Sequence, residues 1–592
     1  MGIPGYTKWL RLRFSGCFHP VTMAQPLSPR PHHVHFDLAA RLYLVATRAK
    51  DTPHLVRLLL RDLHGVVRWV APRRSVTLAI DGAPPAAKLW TQRVRRFERR
   101  TAKKGRSAKR RPRIDTLSFT LGTRTMWEVG RTLRFFAVQA LQARWAARTL
   151  FVVSGPDVPG EGEHKLHRRV LSLLLDKPHE SHLIVGNDAD LIVQAAAAAA
   201  VLEQLGDDGA ASPPAELYFE QLSLLMTYQN GPTTGKPEML RVPVADLSAA
   251  VLADLPQPAS IDGPQLSAPR TMLDLALLSL LMGSDYLPRA RGLRLPSTWP
   301  AYQALKQESG PQAYLVQPAA AGNGRGEFAF AVDYPRLGSV LRRATARQRG
   351  RKGDRGLKEL RGVEKTLSPE EYMAALEWTL GLTANGRADA RASFLPAHAP
   401  RTADLIRWLE ADPAAPAAVA AAGSREARDR FVEPYSVALS TLPLHAAGRL
   451  LPPWLLPLQA ELAAEARQAA DPEPAAASTL ARLGQALSRW LPWPRSAAAL
   501  PQEEERLPPA AGFPSPDRLD ASVQALAEAR GAETGEAETV TRFWLGRDGA
   551  TDCYARHPFG RVGKGSALPE PPAGLPQQSV RVPIVRTDAD WV

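Results

Sequence analysis

Apolar and polar positions in this chain follow two periods. Four short runs rich in β-formers predict strands: His33-Val34-His35-Phe36, Val76 to Ile80, Leu150 to Val153 and Leu183 to Val185. Helical patterns fill the intervals, and strands alternating with helices predict an α/β fold, a mostly parallel sheet flanked by helices. Each run leads into acidic residues, respectively Asp37, Asp81, Glu161 and Asp188. In a parallel sheet the carboxyl ends of the strands form the ligand crevice, so these acids are expected along one rim.

Beyond residue 195 the pattern weakens. Residues 1–195 form the expected core, and 196–270, rich in Ala, Gly and Pro, read as an insertion. The apolar helix Leu273 to Met282 then opens a helical continuation over 271–460. From 461 to 592, stretches such as PEPAAAS, LPPAAGFPSP and LPEPPAGLP bury little, so this Pro/Ala-rich tail is expected to be largely disordered. The longest apolar run, Ala195 to Leu202, is too short to cross a bilayer.

Composition narrows the partner. The 592 residues include 75 Lys+Arg against 59 Asp+Glu, a net +16 that favours a polyanion through phosphate contacts and counterion release. Cys17 and Cys553 are the only cysteines, which argues against a disulfide framework or a Cys-rich zinc site and suits a reducing compartment. The start MGIPGYTKWLRLRF lacks the apolar stretch of a secretory leader, and Tyr6 stands where a myristoylation signal needs Ser or Thr. The expectation is an intracellular protein that is not secreted and has no membrane partner.

The acids carry the chemistry. Asp37, Asp81, Glu161, Glu163, Asp188, Asp190 and Asp285 form the candidate set. Any one of them alone reads equally well as a turn former or a helix cap. Four come as two tight pairs, Glu161-Gly-Glu163 and Asp188-Ala-Asp190, and carboxylates that close repel unless cations neutralise them. Hard oxygen ligands without Cys select Mg²⁺, with Mn²⁺ as a substitute. Two such ions would assist in-line hydrolysis of a phosphodiester. His164 reads as a surface or supporting histidine rather than a general base. Asp274, eleven positions before Asp285 on the apolar helix, is expected on roughly the same face, as a helper of the site or as the helix N-cap.

Lys88, Gln92, Arg95 and Arg96 follow at i, i+4, i+7 and i+8, so one helix face presents a Lys, an amide and two Arg forks. Such a face suits a terminal phosphate monoester. The later cluster between Lys103 and Arg111 reads instead as a nuclear-import signal or a loose RNA contact, which favours the nucleus over the cytoplasm.

Taken in order, the stretches MGIPGYTKWL, HFDLAARLY, AIDGAPPAAKLWTQRVRRF, SFTLGTRTM, SGPDVPGEGEHKL, VGNDADLI and LLMGSDYLP resemble the Xrn family of 5′→3′ exoribonucleases and, more distantly, the flap endonucleases that share its PIN-like core. Weaker similarity extends to about residue 460. The resemblance implies hydrolysis of 5′-monophosphorylated single-stranded RNA to mononucleotides, in RNA decay or processing. It also implies two Mg²⁺ ions on the seven carboxylates, the 5′ phosphate on Lys88, Gln92, Arg95 and Arg96, and a Met1-Gly2 end packed near the site. The segment around Trp378 resembles the exonucleases rather than the flap enzymes. Tyr43 stands where the family has a base-stacking His, and its ring can still stack. The family's Trp-rich run is missing from Gly386 to His398, where Phe394 is the available aromatic. Two alternatives stay open: a structure-specific nuclease of DNA flaps, and a catalytically weakened RNA-binding scaffold of the same fold.

Overall fold

A computed structural model describes residues 2–104, 114–141, 146, 149–205, 214–228, 238–257, 264–319, 328–346, 366–390, 392, 398–411, 431–432, 434–443, 446, 449–451, 455–470, 516–528, 541–543, 556–557 and 560–561. The four expected strands are present, as β2 (His33–Asp37), β3 (Ser75–Ala79), β4 (Leu150–Ser154) and β5 (His182–Val185). They join β1 (His19–Val21), β6 (Leu222–Tyr228), β7 (Glu238–Pro243) and, far along the chain, β10 (Thr541–Phe543) in one sheet ordered β1-β7-β6-β5-β2-β3-β4-β10. Strands β6, β5, β2, β3 and β4 run parallel, and β1, β7 and β10 add antiparallel edges. All residues of β2, β3 and β5 are buried, as expected of parallel strands covered by helices on both faces.

Helices α1 (Tyr6–Arg13), α2 (Leu38–Ala46), α3 (Thr52–Val70), α4 (Ala86–Lys104), α5 (Arg124–Leu141), α6 (Gly162–Asp176) and α7 (Ala189–Leu205) surround the first half. The stretch expected as an insertion completes the fold instead. Helix α7 runs on to Leu205, and β6 and β7 follow inside the central sheet. From Leu191 to Leu202 every residue of α7 is buried, as expected of a helix that is apolar nearly all round and packed on all sides. The alanines hid this from a periodicity reading because an all-round buried helix has no polar face to mark it.

Helices α8 (Ala215–Glu220) to α14 (Thr402–Ala411), with the hairpin β8 (Val316–Pro318) and β9 (Phe330–Val332), build the helical continuation. Here α10 spans Ala268–Leu280 rather than Leu273 to Met282, so Asp285 falls in the loop after it and shares no helix face with Asp274. Asp274 takes neither expected part. Ser267 caps α10, and the Asp274 carboxylate accepts from the Tyr302 hydroxyl at 2.7 Å and from the amides of Leu315 and Val316 at 2.9 and 2.8 Å, anchoring β8. The tail adds the helix Pro516–Glu528 and β10; most of the rest of residues 461–592 lies outside the described residues. Among the described residues no helix is long and apolar enough to cross a membrane.

Candidate active site

The parallel core delivers the acids to one rim. Asp37 ends β2 and caps α2, accepting from the Ala39 amide at 3.2 Å. Asp81, two residues past β3, accepts from the Gly162 amide at 2.9 Å. Glu161 precedes α6 and Glu163 sits in its first turn, while Asp188 precedes α7 and Asp190 sits in its first turn. Both helices therefore aim their partially positive N-termini at the carboxylates, which favours the ionised forms. Asp37, Asp81, Glu161, Glu163, Asp188 and Asp285 line one cleft of about 190 Å³. Carboxylate oxygens of Glu163, Asp188 and Asp190 lie within 4.8 Å of one another. All seven acids named from sequence thus meet in one place.

Two glycines let backbone approach this crowd. At Gly2, φ is +70° and an added Cβ would stand 2.0 Å from Asp188 Oδ1 and 2.8 Å from Asp190 Oδ2. At Gly162, between the two glutamates, an added Cβ would meet Asp37 Oδ1 at 3.2 Å and Asp81 Oδ1 at 3.3 Å. The Glu-Gly-Glu spacing is thus the one that lets β2, β3 and α6 close on each other.

The cationic face lies across the cleft. Lys88, Gln92, Arg95 and Arg96 on α4 all line it. Lys88 pairs with Glu161 and, at 3.0 Å, with Asp285; Arg95 forks onto Asp285 at 2.9 and 2.5 Å. Burial alone would lower the Lys88 pKa, but Glu161, Asp285, Glu163 and Asp81 hold it well above its ordinary value. Burial works against Asp285 as well, yet Lys88 and Arg95 keep its carboxyl well below the usual range. Gln92 Oε1 is buried with no hydrogen-bond partner among the described residues.

The remaining carboxyls are starved of compensation. Burial, then Asp81 and Asp188, pushes Asp37 up to about 8. Burial raises Glu161 despite Lys88, and raises Glu163 and Asp190 with help from their acidic neighbours. Glu161 Oε2 and Asp188 Oδ1 are buried without a hydrogen-bond partner among the described residues. Buried oxygens of this kind, with no thiol among them, fit a hard divalent cation.

Further residues support the site, and of these Tyr286, Lys165 and Arg134 went unread in the sequence. Tyr286 lies beneath Lys88, whose Nζ is 5.7 Å from the ring, and packs edge-on against Trp378 at 5.5 Å and His164 at 6.0 Å. His164 is buried rather than at the surface, with Nδ1 3.7 Å from Glu161 Oε2, and burial lowers its pKa to about 3, so it stays neutral. Lys165 donates to the carbonyls of Gly155 and Val158 at 2.9 and 3.0 Å, pinning the loop that carries Glu161, and Arg134 pairs with Asp157 in the same loop. The polar run from Glu161 to Lys165, interrupted only by Gly162, was the available signal. Tyr43 lines the cleft edge-on to Phe119 at 5.4 Å; Leu121 and Met126, from the same SFTLGTRTM stretch as Phe119, and Val437, from far along the chain, extend this apolar wall. Phe394, residues 105–113 and the side chains from Lys103 to Arg111 lie outside the described residues.

The chain resembles known proteins over its first part. Residues 1–201, which hold six of the seven acids and all four phosphate candidates, match the family described as XRN 5′-3′ exonuclease N-terminus. Human 5′-3′ exoribonuclease 1 is 26% identical over 214 residues, 33% of this chain and 12% of that protein. Gallus gallus 5′-3′ exoribonuclease 2 is 27% identical over 243 residues, 33% and 25% of the two chains. Candida albicans 5′-3′ exoribonuclease 2 is 26% identical over 342 residues, 50% and 35%. The chain thus spans between about an eighth and about a third of the length of these relatives. Among solved structures, the catalytic core of Rad2 in complex with DNA substrate aligns with 51% of this chain and 67% of that one at 16% identity and a TM-score of 0.27, too low to bear on fold or substrate. Over its first 201 residues the chain is therefore similar to the N-terminal region of the XRN 5′→3′ exonucleases.

Proposed function

We propose that the protein is a divalent-metal-dependent 5′→3′ exoribonuclease that removes nucleotides singly from RNA bearing a 5′ monophosphate. The observation that carries this reading is the cleft in which six carboxylates, with Asp190 grouped beside Glu163 and Asp188, face Lys88, Gln92, Arg95 and Arg96. Asp37, Asp81, Glu161, Glu163, Asp188, Asp190 and Asp285 would hold two Mg²⁺ ions, which Mn²⁺ can replace. When bound, these ions neutralise the acids and stabilise charge on the attacked phosphate and the leaving 3′ oxygen.

The chain's own residues set the polarity of the reaction. Lys88 contributes a point charge, Arg95 and Arg96 planar forks and Gln92 an amide donor, a set matched to the terminal phosphate monoester rather than to an internal diester. Tyr43 and the apolar wall beside it receive the terminal base. Glu161 and Asp285, shared by Lys88, keep the phosphate face adjacent to the cleavable bond. His164, neutral and buried, packs edge-on against Tyr286 behind Glu161 and carries no proton for the reaction. Lys88→Ala should erode the preference for 5′-phosphate over 5′-hydroxyl RNA, and an unaltered preference counts against the pocket. Labelled 5′-phosphorylated RNA and flap DNA digested side by side with Mg²⁺ decide the substrate. Mononucleotides released from RNA are expected, whereas a single cut at the flap junction overturns the reading.

A further inference from the structure

Helix α3 has a face that the cleft does not use. Leu55, Leu59, Leu63, Val66 and Val70 are buried, whereas Arg57, Arg61, His64 and Arg68 follow at i, i+4, i+7 and i+11 and stand exposed. That spacing keeps them on one side of the helix in a stripe about 16 Å long. Arg48 and Lys50, exposed just before α3, and Arg73, exposed just after it, lengthen the stripe at both ends. Residues 48–74 contain seven Arg or Lys and two Asp, and both acids are committed elsewhere. Asp51 caps α3 by accepting from the His54 amide at 2.7 Å, and Asp62 takes the fork of the buried Arg41 at 2.8 Å. Among the described residues, Arg48, Lys50, Arg61, Arg68 and Arg73 have no carboxylate partner.

Arginines on two later helices are paired instead. On α12 (Tyr334–Ala346) and α14, Arg342 pairs with Glu410, Arg343 with Glu308 and Arg407 with Asp404. Arg61 and Arg68 on a rigid helix, with Arg48, Lys50 and Arg73 flanking it, make a sustained positive potential, which an anionic polymer relieves. Helix α2 links this stripe to the cleft. It starts at Asp37, presents Tyr43 to the cleft, and ends about 14 Å of helix later at the turn that carries Arg48 and Lys50.

We infer that the exposed face of α3 is a second nucleic-acid contact, which holds the phosphate backbone of the RNA downstream of the nucleotides in the cleft. The identity of the polyanion rests on the exoribonuclease reading above. The contact is sequence-independent, because exposed Arg and Lys on a smooth helix face meet phosphates and no base edges.

The test combines Arg61→Gln, Arg68→Gln and Arg73→Gln, all exposed positions, with a melting curve to confirm the fold. Binding to long single-stranded RNA is measured over a salt series on an Asp188→Ala background that does not cut. The triple variant should bind more weakly, with the slope of log K against log salt shallower by about 2, while cleavage of a short 5′-phosphorylated oligonucleotide in the otherwise native protein stays unchanged. An unaltered slope for long RNA overturns the inference. So does an equal loss on the short oligonucleotide, or a loss of binding to anionic lipid vesicles with none to RNA. If the native protein cuts no RNA but the slope still falls, the exoribonuclease reading fails and the α3 contact stands.

Discussion

Asp37 shows how much one residue reports. Its carboxyl, about 4 in an unfolded chain, is pushed up to about 8 by burial and by Asp81 and Asp188. An acid raised on folding stabilises the fold fully below its unfolded value and loses that contribution as pH rises through its folded value. Buried His33, His35, His164, His167 and His182, all held below their ordinary value, pull stability the other way over the same range, so the Asp37 contribution is read as a difference. The melting temperature of metal-free native protein minus that of Asp37→Asn should fall between about pH 4 and pH 8, and a difference that rises over that range in chelator contradicts the shift. Asp188→Ala and Asp190→Ala should each abolish hydrolysis while RNA binding persists, and unchanged cleavage in both rejects the metal site. The seven acids and the four α4 residues were legible because each sits at a strand end or at helical spacing close to a distinctive local string. Tyr286 was not, since its place under Lys88 comes from a loop whose course depends on α10 and on Trp378.

At the level of elements, the four strands of the core could be read from runs of apolar residues ending in acids, and their observed bounds differ by a residue at most. The strands β6 and β7 were missed because they sit in a stretch dominated by Ala, Gly and Pro, and because α7 has no polar face. Ala198 lies on that helix and is buried. Ala198→Leu should overpack it and cost about 1 to 3 kcal/mol by denaturant unfolding. A neutral result would mean that α7 has room its burial denies. Asp274 makes a complementary case, since a lone acid on an apolar helix looked like part of the site and turned out to tie β8 to α10. Asp274→Asn should lower stability by about 1 to 3 kcal/mol and leave the metal requirement of cleavage unchanged. A changed metal requirement would return Asp274 to the site.

Across the whole molecule, the parallel sheet turns separate segments into one rim, because every parallel strand ends on the same side and each following helix starts there. Charge is distributed on the same plan, with acids concentrated in the cleft, cations opposite them on α4, and a further positive stripe on α3. The net +16 was readable from composition, but only the pairing pattern shows which of the cations remain for a partner. The central claim is that this cleft joins a metal site to a pocket for a terminal phosphate. Purified protein incubated with 5′-monophosphate, 5′-triphosphate and 5′-hydroxyl forms of one RNA, with Mg²⁺ or with chelator, tests it most directly. Mononucleotides should appear only from the 5′-monophosphate RNA and only with Mg²⁺; equal degradation of all three RNAs, or release that survives the chelator, contradicts the account.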